Sequence, residues 1–106
     1  MKKAVNVETN NFDASLKEQI LAVKNAGFQG VFFDWEDTEE FKEIVEFTRA
    51  NGLEIASIHA PFDHVCDMWN EEKPEIFHKL IKCINDCGSL NIKTLVCHVY
   101  IGFDTV

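Results

Sequence analysis

The chain has 106 residues, a formal net charge of −8 and an isoelectric point near 4.8. That length suits one domain, and the acidic balance argues against nucleic acid or an anionic membrane surface as a partner, because both need clustered Lys and Arg. No apolar segment approaches the ~20 residues of a membrane span, and the start MKKAVNVETNNFD lacks the long apolar stretch of a signal peptide, so we expect a cytoplasmic protein.

The four cysteines are consistent with a reducing compartment, because none of them forms a CxxC pair. Cys83 and Cys87 are four residues apart in a predicted helix. A metal or redox role is one interpretation of this pair. Packing of two buried thiols on an apolar helix face is the favoured one, since free cysteine packs as a small hydrophobe.

Short β-rich runs alternate with helical patterns from the start of the chain. A weak strand is predicted at residues 4–7. A helix then begins at Ser15, where Glu18 three residues later completes a capping box, and it ends at Gly27, which suits the left-handed residue after a helix. The apolar run GVFFDW predicts a second strand at 30–35.

The same pattern repeats twice more. Asp37 and Glu40 suggest a capping box for a second helix that ends at Gly52, and EIASIH predicts a third strand at 54–59. After a longer loop, Pro74 suits the first turn of a third helix, and TLVCHV predicts a fourth strand at 94–99.

Strands that alternate with helices predict parallel pairing with right-handed crossovers. The fold class is therefore α/β, a single domain over residues 1–106 with the order (βα)₃β. A flavodoxin-like sheet is the alternative to half of a (β/α)₈ barrel. The barrel half is favoured, because no glycine-rich phosphate loop follows the first strand.

The carboxyl ends of parallel strands are where α/β folds place their sites. His59 ends the third strand and His98 lies near the end of the fourth, and Asp34 holds the matching position on the second. Because side chains alternate along a strand, one face is expected to carry the following residues: Asn6, Glu8, Phe32, Asp34, Ile55, Ser57, His59, Val96 and His98.

Two histidines beside carboxylates suit a divalent metal (Mn, Mg, Zn or Co) or a polar, sugar-like substrate. The candidate substrate contacts are His59, His98, Asp34 and Trp35, with His59 and His98 also the candidate metal ligands. The alternative is that both histidines are hydrogen-bonded structural groups. Trp69 is a second aromatic residue expected near the mouth, and packing as a loop anchor is the alternative for both tryptophans.

Two stretches resemble the xylose-isomerase-like TIM barrels. They are GFQGVFFDWEDTEEFKEIVEFTRANGLEIASIHAPF, in which the third strand ends in His-Ala-Pro, and LNIKTLVCHVYIGF, in which the fourth ends in Lys-Thr-Leu-Val-x-His. The superfamily includes sugar-phosphate isomerases and epimerases as well as metal-dependent apurinic endonucleases. The resemblance implies a barrel with a divalent metal at its mouth, proton transfer beside a carbonyl, and roles for His59 and His98 as substrate or metal contacts.

The chain departs from the family pattern at two points. Phe32 stands where members carry a Glu on the second strand. A full barrel also takes ~250 residues, and the family's metal-binding carboxylates and acid/base Glu lie on later strands. We therefore expect this half-barrel to be completed by oligomerisation, as a homodimer or larger, or by C-terminal residues beyond this sequence.

Three functions remain open, of which the first is favoured. The chain is part of a metal-dependent isomerase or epimerase of a sugar or sugar phosphate, not active as this segment alone. It is a non-catalytic sugar-binding module of the same fold. Or it is a structural fragment whose histidines are buried. The net charge of −8 disfavours an apurinic endonuclease.

Overall fold

The computed structural model describes residues 2–9, 13–61, 67 and 69–97. Four strands and three helices alternate along the chain, and their bounds are β1 Ala4–Asn6, α1 Leu16–Asn25, β2 Gly30–Asp34, α2 Glu39–Ala50, β3 Glu54–His59, α3 Pro74–Ser89 and β4 Leu95–Val96. The strands form one parallel sheet in the order β1-β2-β3-β4. The predicted α/β class and (βα)₃β order are confirmed.

The helix ends follow the local sequence signals. The hydroxyl of Ser15 accepts a hydrogen bond from the backbone N–H of Glu18 at 3.2 Å, which caps α1. Gly27 and Gly52 take φ values of +89° and +77° after α1 and α2, a region in which a side chain is strained. Pro74 occupies the first turn of α3.

The predicted capping box at Asp37 is wrong. The N-cap of α2 is Thr38, whose side chain makes no capping hydrogen bond. Asp37 lies one residue earlier, and its Oδ1 is 2.8 Å from the ammonium of Lys82 on α3. The carboxylate of Asp37 therefore forms an ion pair with a distant helix, whereas the local sequence pattern predicted that it would cap α2.

The core lies between the sheet and the three helices. Each strand sends alternate side chains into it, and each helix contributes one apolar face. Its least exposed members are the following: Ile20, Val31, Val45, Ile58 and Cys83. The described helices include none that is long and apolar enough to cross a membrane.

A one-residue bulge in β3 decides which of its side chains share a face. Val31 pairs with Ile55, but the next pair joins Phe32 to Ser57, so Ala56 has no partner on β2. Val31 is fully buried and Ile55 packs against the same core. The expectation that Ile55 shares a face with the strand-end histidine is therefore wrong, because the bulge reverses the alternation between these positions.

The opposite face of the sheet is exposed in this chain. Phe32 on β2 is 38% exposed and Val96 on β4 is 41% exposed. Both belong to the face predicted to line a barrel interior. The expected completion of the unit, by a second copy or by further chain, stays a prediction.

Candidate functional site

Asp34 and His59 are direct neighbours at the carboxyl edge of the sheet. They are paired residues of β2 and β3, and His59 pairs in turn with Val96 of β4. Adjacent strands lie ~4.8 Å apart, so paired side chains on one face can reach the same ligand. Asp34 is exposed and His59 is half-buried. The predicted placement of Asp34 beside His59 at neighbouring strand ends is present in the structure.

The imidazole of His59 is oriented by the backbone of the next residue. Nδ1 lies 2.8 Å from the carbonyl oxygen of Ala60. Because a carbonyl oxygen only accepts, Nδ1 carries the hydrogen, and the lone pair of the neutral ring lies on Nε2. Histidines that bind metals commonly donate their second ring N–H to a carbonyl in this way.

Backbone hydrogen bonds fix the ends of the strands that carry these two side chains. The N–H of Trp35 donates to the carbonyl of His59 at 2.9 Å, and the N–H of Ala60 donates to the carbonyl of Val96 at 2.8 Å. The residue after each site residue is thus held by the adjacent strand. Asp34 and His59 consequently project from ordered strand ends.

Glu8 stands at the β1 side of the same edge, in a network that sequence reasoning missed. Its carboxylate accepts a hydrogen bond from the amide of Asn6 at 2.9 Å. Its backbone exchanges two bonds with the side chain of Gln19, whose Oε1 accepts at 3.0 Å and whose Nε2 donates at 2.8 Å. Gln19 is 11 residues away on α1, and no local pattern marks it as a partner.

Trp35 is in the core rather than on the open face. Its side chain is only 6% exposed, and its indole Nε1 donates to Oδ2 of Asp86 on α3 at 2.9 Å. The ammonium of Lys82 lies 5.6 Å from the centre of the indole ring. Strand alternation explains this placement, since Trp35 follows Asp34 and points to the opposite side of the sheet. The structure gives Trp35 a packing role where a substrate contact was predicted.

A cavity of about 500 Å³ opens beside Asp34, between the beginnings of α1 and α2. Phe33, Phe41 and Ile44 form part of its apolar wall. Its charged lining is mainly acidic: Asp34, Glu36, Glu40 and Glu43, with Lys17 as the basic member. Such a lining favours hydroxyl groups or a cation over an unaccompanied phosphate.

The remaining predicted site residue, His98, lies outside the described residues. Over residues 2–9, 13–61, 67 and 69–97, no group of three His, Cys, Asp or Glu side chains is arranged to hold a metal ion. Asp34 and His59 are two ligand types that a divalent metal accepts, so a metal here needs a third ligand such as His98. The predicted metal site stays a prediction.

Trp69 precedes α3 and is 67% exposed. Its ring centre is 5.8 Å from that of Phe77. Asp67 accepts from the ammonium of Lys73 at 3.1 Å, so this carboxylate belongs to a loop contact with α3.

The comparisons with known proteins bear on the fold. No family model matches the chain, and no curated protein matches it. The crystal structure of mannonate dehydratase from Streptococcus suis serotype 2 superposes with a TM-score of 0.68 at 20% identity, over 98% of this chain and 32% of that chain. This chain thus spans about a third of the length of that protein. Its four-stranded parallel unit has the fold of part of a TIM barrel.

Proposed function

We propose that this chain forms the first half of a sugar-processing barrel, in which Asp34 and His59, at the carboxyl edge of the sheet, bind one polyhydroxylated substrate. The observation that carries the proposal is the direct pairing of these two residues at the open edge of the sheet. It is supported by the fold shared with part of a mannonate dehydratase, a protein named for its action on a sugar acid. Within this class, we propose a divalent-metal-dependent isomerase or epimerase acting on a sugar or sugar phosphate.

The two side chains offer complementary hydrogen-bonding groups. The carboxylate of Asp34 accepts hydrogen bonds from sugar hydroxyls, and the imidazole of His59 offers a second polar contact on the neighbouring strand. Binding at both points would orient the sugar across the ends of β2 and β3. The acidic lining beside Asp34 would select for hydroxyl groups, and an anionic substrate would require a cation as companion.

A bound divalent metal would polarise a substrate carbonyl or hydroxyl and stabilise the negative charge that develops when a neighbouring proton is removed. His59 and His98 are the residues proposed to hold it. Glu8 and Asp34 are the strand-end carboxylates among the described residues, and general-base catalysis requires one to reach the reacting proton.

The test is a titration of the isotopically labelled protein with D-mannonate, D-fructose and D-glucose 6-phosphate, with and without Mn²⁺, observed by NMR. We expect sugar-dependent shifts at Asp34 and His59 and Mn²⁺-dependent broadening of the same signals. Loss of a hydrogen bond to a charged group costs ~1.5–3 kcal/mol, so Asp34→Asn should weaken binding about tenfold or more.

Matched controls exist on the helices. His78 on α3 and Glu46 on α2 are both exposed and remote from the strand ends. His78→Gln and Glu46→Gln should bind like the wild type, whereas His59→Gln should not. Binding without conversion of any sugar would assign a sugar-binding module instead of an enzyme. Equal affinity of the wild type and both site variants would refute the proposed site.

A further inference from the structure

One side chain on α3 connects to both strand ends of the candidate site. Asp86 accepts the indole N–H of Trp35 at 2.9 Å. Trp35 directly follows Asp34, and its backbone N–H donates to the carbonyl of His59 at 2.9 Å. Hydrogen bonds therefore lead from Asp86 through Trp35 to the ends of β2 and β3.

A second attachment holds the loop that follows β2. The ammonium of Lys82 lies 3.1 Å from Oδ2 of Asp86 and 2.8 Å from Oδ1 of Asp37. It also lies over the indole ring of Trp35. The ion pairs are about half exposed and contribute little by themselves, because water and salt screen exposed charges. The indole–carboxylate bond is the better shielded one, since the indole is buried.

We propose that Asp86 is a positioning residue for the Asp34–His59 pair. By holding the buried indole of Trp35 it fixes where β2 ends, and through the backbone bond to His59 it fixes the end of β3. A hydrogen bond to a carboxylate is shorter and stronger than one between neutral groups, which suits this task. Its bearing on ligand binding rests on the proposed function, whereas its effect on the geometry of the pair does not.

The displacement that a site residue can tolerate is small compared with the movement of an unanchored loop. Site residues must be held within ~0.5 Å of the productive geometry, and a 1 Å error can cost ~100-fold in rate. Asp34 is the last residue of β2, so the anchor on the next residue limits its movement. Asp86 never contacts the substrate in this arrangement.

The experiment uses a variant with a single tryptophan. The chain has two, so Trp69→Phe leaves Trp35 as the sole indole. In that background, Asp86→Ala should shift the Trp35 indole N–H signal and also the ring signals of His59. Asp86→Asn keeps an acceptor oxygen, so both sets of signals should stay close to their wild-type positions. Asp37→Asn removes only the exposed ion pair between Asp37 and Lys82. It should leave the signals of Trp35 and His59 near their original positions.

A purely structural role makes a different forecast. If Asp86→Ala lowers the melting temperature and moves the indole signal but leaves Asp34 and His59 unshifted, the positioning role is refuted. Should Asp86→Ala fail to fold, Trp35→Phe replaces it, because that variant loses the indole N–H and keeps an aromatic ring. It should displace the His59 signals in the same way, and unshifted signals would again refute the inference.

Measurements of sugar binding distinguish a failure of this inference from a failure of the proposed function. With D-mannonate and Mn²⁺, Asp86→Ala is expected to bind about tenfold more weakly, with rescue by Asp86→Asn. If the wild type binds none of the sugars, the proposed function fails while the ligand-free spectra still decide the positioning role. If the wild type binds and Asp86→Ala binds equally well, the positioning role fails alone.

Discussion

Gly30 provides a direct test of how closely β2 and β3 approach each other. A Cβ added at this position would lie 2.9 Å from the carbonyl oxygen of Glu54 and 3.6 Å from Cβ of Ala4. The first distance is shorter than real Cβ contacts allow, and the atom it meets is backbone, which cannot rotate away. In Gly30→Ala, β3 must therefore move by a few tenths of an ångström relative to β2.

The expected cost follows from two opposing terms. Forcing an extra methyl into a packed site costs ~1–3 kcal/mol. Replacing Gly by Ala also restricts the unfolded chain, which returns ~0.4–1 kcal/mol where the backbone conformation permits it. We expect the free energy of unfolding of Gly30→Ala to fall by about 1 kcal/mol, the difference between these terms.

Gly88 supplies the matched control. It lies near the end of α3, and an added Cβ there would meet nothing within 4 Å. Gly88→Ala should raise the free energy of unfolding by ~0.5–1 kcal/mol, because Ala is the better helix former. Urea unfolding followed by circular dichroism measures both changes. A Gly30→Ala variant at least as stable as the wild type, at an unchanged denaturant slope, would refute the close approach of the strands.

Three further predictions concern the cysteines, a helix cap and the core. Burial, reinforced by the neighbouring thiol of Cys87, raises the pKa of Cys83 from 9.0 to about 12. In the unfolded chain this thiol loses its proton at lower pH than in the folded protein. The free energy of unfolding should therefore fall between pH 9.0 and about 12, by at most ~1.4 kcal/mol per pH unit. Alkylation mapped by mass spectrometry should modify the exposed Cys97 before Cys83. Ser15→Ala should lower the free energy of unfolding in urea by ~1 kcal/mol, because it removes the hydrogen bond that caps α1. Thr38, the N-cap of α2, makes no such bond, so an equal cost for Thr38→Ala would contradict this explanation. Ile58→Val, at a fully buried site, should cost ~0.5–1.5 kcal/mol, and a cost near zero would contradict the packing around β3.

Local signals were sufficient to place most elements. Gly27 and Gly52 adopt the left-handed conformations that end α1 and α2, and Pro74 begins α3, because each depends on the backbone preferences of one residue. Ser15 caps α1 for the same reason, since its partner is three residues away. The parallel order followed because strands that alternate with helices have few other ways to pair.

Contacts between distant residues could not be predicted in this way. Trp35 and Asp86 are separated by 51 positions, and nothing near either one marks the other as its partner. Asp37 shows the same limit, because its ion pair with Lys82 on α3 overrides a good local capping pattern. Helical spacing alone also overstates burial, because Ile84 lies four residues after the buried Leu80 on α3 and is nevertheless 45% exposed.

The bulge at Ala56 shows how one such feature determines the site. In a regular register continuing from the Val31–Ile55 pair, Asp34 would stand beside Ile58, and the side chain of His59 would point into the core. The extra residue in β3 returns Ile58 to the core, where it is fully buried, and returns His59 to the face of Asp34. Counting back from the strand ends predicted the right neighbours, because the bulge lies farther back along β3 and leaves the last three pairs in register. The same count failed at Ile55, on the other side of the bulge. Bulges are frequent beside functional sites because they redirect side chains at the cost of one unpaired residue, and here that redirection brings together the carboxylate and the imidazole on which the proposed function depends.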